Sequence, residues 1–147
     1  MKHSRILTLD SNVLIAALKE DEPYSGKCSE ILTKVPDDFI LSEPSIIYQE
    51  VCGTLARAVR VGIADEAKRQ LDMIIHPSFL TECNRAFCIL AYPLCSEYDI
   101  YAVDALYLKV ALDNHAVLVS LDKEDFIDKV NSKKLSMEAY HVSQFPY

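Results

Sequence analysis

Glycine is scarce in this chain, with three among 147 residues. That leaves no glycine-rich loop of the kind that cradles nucleotide phosphates. Long apolar runs are missing as well, and none approaches the roughly 18 residues of a membrane span. The opening MKHSRILTLD reaches an aspartate before the apolar core of a secretion signal could form. The five cysteines, Cys28, Cys52, Cys83, Cys88 and Cys95, are odd in number and contain no CxxC pair. They are expected to be reduced and mostly buried, in a cytoplasmic protein. The four histidines are scattered and form no HExxH. Positive charge is in deficit, with 15 Lys and Arg against 22 Asp and Glu, a net charge of −7. This argues against general electrostatic coating of nucleic acid. It leaves room for a local basic rim around an acidic, metal-loaded pocket. No repeat, linker or low-complexity segment divides the chain, so one domain over 1–147 is expected, long enough to bury a core.

What is present is an alternation of short apolar strands and amphipathic helices. RILTL at Arg5–Leu9 reads as a strand ending at Asp10, with Ser11 or Asn12 placed to cap a helix over Val13–Leu18. A loop at Lys19–Pro23, a helix over Ser25–Lys34 and a turn at Pro36–Asp38 lead to a second strand, Phe39–Leu41. Pro44 opens a helix expected to run to about Val61 and stop at Gly62, with Ile47, Val51 and Leu55 as its core stripe. A fourth helix over Ala64–Ile75, or a short strand at Ile74–Ile75, follows. Thr81 is placed to cap a fifth helix, which Pro93 kinks or stops. The stretch Ile100–Phe126 organises the rest. Its helix shows Val103, Leu106, Val110 and Ala111 on one face and stops at Asn114, a residue that tolerates the left-handed conformation. Val117–Val119 then suits a strand buried on both faces. A short helix over Glu124–Val130 and an edge strand at Ala139–Val142 close the chain.

Alternating strands and helices imply parallel strands joined by right-handed crossovers. Such a sheet presents all its strand carboxyl ends at one edge, where ligands bind. Asp10 and Asp122 follow predicted strands. Asp104 lies in the first turn of the helix leading into the last core strand, and Glu50 lies two turns into the helix after the second. Each alone reads equally as a helix cap or a helix-terminal charge. Together they can converge, and packed carboxylates must share protons or hold a cation. Hard oxygen ligands suit Mg²⁺ or Mn²⁺. With no obvious nucleophile in the chain, the pattern points to metal-assisted phosphodiester hydrolysis.

Four segments carry a family resemblance: LTLDSNVLIAAL at Leu7–Leu18, YQEVCGTLAR at Tyr48–Arg57, DALYLKVA at Asp104–Ala111 and LVSLDKEDF at Leu118–Phe126. In this order, over nearly the whole chain, they resemble the PIN-domain family, particularly its VapC-type toxins. The resemblance implies a three-layer α/β/α fold with a mostly parallel central sheet. It also implies a Mg²⁺- or Mn²⁺-dependent endoribonuclease, usually a homodimer, held inactive by a cognate antitoxin. Asp10, Glu50, Asp104 and Asp122 match the family's acidic quartet, Asn12 its small polar residue after the first acid, and Ser120 its frequent Thr or Ser before the last. Asp99 departs from the family, standing where many members have Gly, and Pro93 interrupts the preceding helix.

Other readings compete. A phosphoryl-accepting receiver domain needs paired acids after the first strand, and a dehalogenase-like phosphatase needs DxD there; the chain has Asp10-Ser11-Asn12. A PIN nuclease of RNA processing and a non-catalytic interaction protein on the same fold remain. Arg57, seven residues after Glu50, is expected at the rim of the pocket as an RNA contact, with Arg60 one turn further along the same helix. The competing reading makes both solvated helix-end charges. Likewise, Val13–Leu18 and Ile46–Leu55 offer either a docking groove and dimer face or plain core.

Overall fold

The computed structural model describes residues 3–133 and 136–147. Four parallel strands form the central sheet: β1 (Arg5–Leu9), β2 (Phe39–Leu41), β5 (Val117–Ser120) and β6 (Ala139–His141), in the order β2-β1-β5-β6. Leu7, Thr8, Leu9 and all of β5 are buried, because helices cover both faces of the sheet. Among these, α1 (Ser11–Leu18) and α7 (Ala102–Asn114) both pack on β1 and β5. The order positions the site. From β1 the chain steps one way to β2, while β5 and β6 are laid down on the other side. The direction therefore reverses between β1 and β5, and at such a switch point the flanking connections part and leave a crevice beyond the strand ends.

Three short segments decide the local geometry of that crevice. β3 (Glu43–Pro44) leaves the main sheet to pair with β4 (Leu80–Thr81). Ser42 still donates its backbone N–H to the Leu7 carbonyl at 2.8 Å, but the ladder stops there. The Leu9 N–H, left without a strand partner on that side, donates instead to Oε1 of Glu43 at 2.6 Å. The Ser42 carbonyl accepts the Thr8 hydroxyl at 2.8 Å. A side-chain carboxyl thus takes the place of a strand carbonyl, as a buried amide requires a partner.

Several boundaries differ from expectation. The helix α3 (Ile46–Ala58) ends before Val61, and Gly62 lies in the first turn of α4 (Val61–Ile74) rather than at a helix stop. The break falls at Val59 and Arg60, the latter extended at φ −172°, ψ 160°. The chain must reverse there so that Ile47, Val51 and Leu55 can bury against Ala64, Ala67 and Leu71. Ile74–Ile75 forms no strand. Thr81 belongs to β4, and Asn84 caps α5 (Arg85–Ala91), its Oδ1 accepting the Phe87 N–H at 3.0 Å. Pro93 opens a new helix, α6 (Pro93–Tyr98), where its missing N–H costs nothing. Asp10 takes the N-cap position of α1, ahead of Ser11 and Asn12. His115, at φ 51°, rather than Asn114, is the left-handed residue that ends α7. Asp99 adopts φ 56°, a conformation that Asp tolerates better than most residues. The last predicted helix begins as a π turn over Lys123–Ile127 before α8 (Asp128–Asn131).

The buried face of α7 is rotated from the predicted one. Val103 is exposed, while Tyr107 and Leu108 are wholly buried. Val13, Leu14, Ile47, Val51 and Leu55 are also wholly buried, so the central residues of both early stripes are core. The cysteines are free, but only Cys28 is buried; Cys88 is exposed and the others half-buried. Among the described residues no helix is long and apolar enough to cross a membrane.

The Glu43 contact yields a test. Glu43→Leu orphans the Leu9 N–H and is expected to cost about 1–3 kcal/mol in denaturant unfolding. Glu43→Gln keeps an acceptor at Oε1 and should stay within about 1 kcal/mol of the parent. Equal stability of Leu and Gln at this position would show that the bond carries no weight.

Candidate active site

Asp10 follows β1 directly at the switch point and is 6% exposed. Its Oδ2 accepts the Ser120 hydroxyl at 2.7 Å and the Asn12 amide at 3.2 Å. Ser120 is the last residue of β5, so this one hydroxyl ties together the carboxyl ends of the two central strands. It also accepts the Asp122 N–H at 2.9 Å and the Asn12 Nδ2 at 3.3 Å. Asn12 completes the loop by accepting the Leu121 N–H at 3.1 Å on its Oδ1. The predicted supporting pair, Asn12 and Ser120, therefore holds the loop that carries Asp122 against the strand that carries Asp10. Asp122 in turn caps the π turn, its Oδ1 accepting the Asp125 N–H at 3.1 Å.

Asp104 sits in the first turn of α7, where the helix dipole favours an anion. The dipole does not prevail. Burial, then the fields of Asp10, Asp122, Glu50 and Asp125, push the Asp104 carboxyl up to about 7. Asp10 is pushed up to about 6, chiefly by burial; the Ser120 hydroxyl opposes the shift and the Glu50 and Asp122 charges add to it. The Asp104 carboxyl thus lies in the fields of Asp10, Asp122 and Glu50, and Asp10 in those of Glu50 and Asp122.

Two groups at this edge escape the sequence pattern. Glu43 is wholly buried, its Oε2 has no hydrogen-bond partner, and burial raises its pKa well above the usual carboxylate range. It looked like part of a helix-start signal. Tyr107, also wholly buried, donates its hydroxyl to Oε1 of Glu50 at 2.7 Å. It lay off the stripe assigned to α7, and only its spacing of one turn from Asp104 could have flagged it.

Arg57 is exposed in the last turn of α3 and lines a shallow cleft with Gln49, Gly53 and Thr54. Arg60 is exposed too, but it is the extended residue between α3 and α4. It does not continue the helix that carries Glu50 and Arg57, so the expected one-turn relation fails.

The sequence profile of the PIN domain matches residues 7–132. The chain belongs to the PIN-domain family. This removes the receiver and dehalogenase-like readings. Solved structures agree on the fold. The VapC20 toxin of Mycobacterium tuberculosis, described as cleaving the sarcin-ricin loop, superposes with a TM-score of 0.65 at 14% identity, over 81% of this chain and 91% of that one. VapBC2 of Rickettsia felis gives 0.62 at 16% identity, over 92% and 98%. FitAcB of Neisseria gonorrhoeae gives 0.62 at 16% identity, over 95% and 99%. No curated protein matches the sequence at a significant level.

PIN domains of this kind imply a divalent cation. In the arrangement described, no three acidic, histidine or cysteine side chains among the described residues stand close enough to enclose one. The donor set nevertheless fits such an ion. Asp10 and Asp104 are hard carboxyl donors pushed toward protonation first by burial and then by neighbouring acids, Glu50 and Asp122 among them, and a cation entering there would oppose both shifts.

That charge balance sets a pH dependence. Unfolded, both aspartates lose their protons near pH 3.9; folded, they do so near 6 and 7. As pH rises the unfolded state sheds protons first, so the folded state loses stability between about pH 4 and 7. With chelator present, the unfolding midpoint is expected to fall from pH 5 to pH 8. Over that window Asp10→Asn should remove a share on the order of 1–2 kcal/mol, the part of the Asp10 shift still to be lost above pH 5. Identical pH profiles for parent and variant would show that Asp10 is not burdened in this way.

Proposed function

We propose that the protein is a Mg²⁺- or Mn²⁺-dependent endoribonuclease, the toxin of a toxin–antitoxin pair. The observation that carries this reading is Asp10, held by Ser120 and Asn12 at the switch point of a PIN fold, with Asp104 crowded by Asp10, Asp122 and Glu50. Asp10 and Asp104 are the main direct ligands, with Glu50 and Asp122 completing the set. Asp10, Asp104, Glu50 and Asp122 would hold the divalent cation, which would supply Lewis-acid activation of the phosphoryl group and of a water. The chain's own part is positional. Ser120 and Asn12 fix Asp10 and the Asp122 loop, so the carboxylates meet the ion without reorganising.

RNA is held from α3. Arg57 lies about 10.5 Å along the helix axis from Glu50, by the rise of seven residues. An exposed guanidinium there can grip a phosphate next to the cleaved one through two of its donors. Arg60, on the connection to α4, adds a looser second contact.

Cleavage of structured RNA with Mg²⁺ or Mn²⁺ tests the reading. Asp10→Asn should lower the rate on the order of a hundred-fold or more, and chelator should abolish it. Arg57→Ala should weaken binding regardless of base identity and make its salt dependence shallower by about one phosphate contact. Cleavage that survives both chelator and Asp10→Asn would end the proposal.

A cognate antitoxin and a homodimer belong to the same reading. The structures of VapBC2 from Rickettsia felis and of FitAcB, which superpose over nearly the whole chain, support a partner of this class. The early helix stripes being core, the dimer uses the exposed apolar side chains Ile89, Leu90 and Tyr92 at the end of α5, with Tyr101 before α7. Sedimentation should show a dimer that Leu90→Glu dissociates. Co-expression with the neighbouring gene should yield a complex. A monomer at high concentration would remove the dimer, and a lone protein after co-expression would remove the antitoxin.

A further inference from the structure

The helix α7 brings two polar groups to the acidic edge one turn apart. Asp104 and Tyr107, at i and i+3, lie on one side of it. Tyr107 is wholly buried, among the largest buried side chains of the core, yet its hydroxyl is not spent on a nearby backbone carbonyl. It crosses to another helix and donates to Oε1 of Glu50 at 2.7 Å, from a residue 57 positions away. Glu50 is only half-buried on α3 and has three rotatable bonds to order. If Tyr107 served only to fill space, phenylalanine would do the same without a hydroxyl that demands a partner in the core.

We propose that Tyr107 is a positioning residue for Glu50: its phenol pins one carboxylate oxygen and leaves the other to a divalent cation. The inference rests on the nuclease reading, since it gives Glu50 a cation to meet. In this arrangement α7 contributes twice, with Asp104 as a ligand and with Tyr107 as the support of a ligand on α3. Support of this kind, from a hydrogen-bonding residue behind a metal ligand, ordinarily changes metal affinity or activity by about 10–100-fold.

The test is Mn²⁺ binding by calorimetry to the full chain, stripped of metal, in the parent, Tyr107→Phe, Glu50→Gln and the double variant. Tyr107→Phe is expected to weaken Mn²⁺ binding by about 10-fold or more. In the Glu50→Gln background the same change should add less than about twofold, because its effect runs through Glu50. A general loosening of the core would instead weaken binding equally in both backgrounds, and that result overturns the proposal. Should Tyr107→Phe fail to fold, Tyr107→Met removes the hydroxyl while filling much of the same space, with the same loss expected. Binding by Tyr107→Phe within about twofold of the parent, with Asp10→Asn losing it, overturns the positioning role and leaves the metal reading standing. A parent that binds no Mn²⁺ overturns both.

Discussion

The structure turns on an electrostatic liability placed at a topological switch point. β1 and β5 are neighbours whose onward connections part, and there Asp10 and Asp104 are pushed up by burial and by acidic neighbours, with no basic side chain among the causes. A fold whose only aim was stability would not bury carboxyls against one another, because neither burial nor like charge favours them. The surrounding polar contacts are best understood as fixing that arrangement. The Ser120 hydroxyl donates to Asp10 and receives the Asp122 and Asn12 N–H groups, so a single side chain at the end of β5 sets the relation of two strands and a loop.

The carboxyls are not equivalent, and the differences follow from what each one touches. Asp10 is nearly inaccessible and doubly hydrogen-bonded, hence fixed. Asp122 is tied through the cap it makes on the π turn. Asp104 has only the helix dipole in its favour, a contribution of about 0.3–1 kcal/mol that burial and four acidic neighbours outweigh. Glu43, deeper still, serves the backbone by receiving the Leu9 N–H beside Asp10. A rigid acid on β1 next to a poorly satisfied one on α7 is an arrangement that a cation can complete.

The sequence made the sheet legible, and with it the places of Asp10 and Asp122 just past β1 and β5, because both follow from coarse periodicity. RILTL and VLVS are short apolar runs bounded by polar residues, and their carboxyl ends point to one edge once the strands are parallel. The finer features depended on tertiary contacts with no local signal. Gly62 looked like a helix stop, yet the need to bury Leu55 against the α4 stripe placed the reversal at Val59 and Arg60. Val103, Leu106, Val110 and Ala111 made a reasonable apolar face, but α7 packs against three strands, β1, β3 and β5, and buries Tyr107 and Leu108 as well. Thr81, expected to cap the fifth helix, was taken by the β3–β4 pair, and Asn84 caps α5 instead. Glu43 was illegible for the same reason: its role exists only because β3 turns away and leaves the Leu9 amide unserved.

That last contact bears on how the site and the fold share residues. Leu9 is pinned on one side by Glu43, and Asp10 on the other side donates its backbone N–H to the Val119 carbonyl at 2.9 Å. The peptide between them is therefore held from both flanks just where the side chain of Asp10 enters the acidic edge. Backbone fixed in this way allows the Asp10 carboxyl little room to escape its neighbours' charge by local fraying. Relief must come from protonation or from a cation, and near neutral pH a cation is the route that restores the full charge of the site.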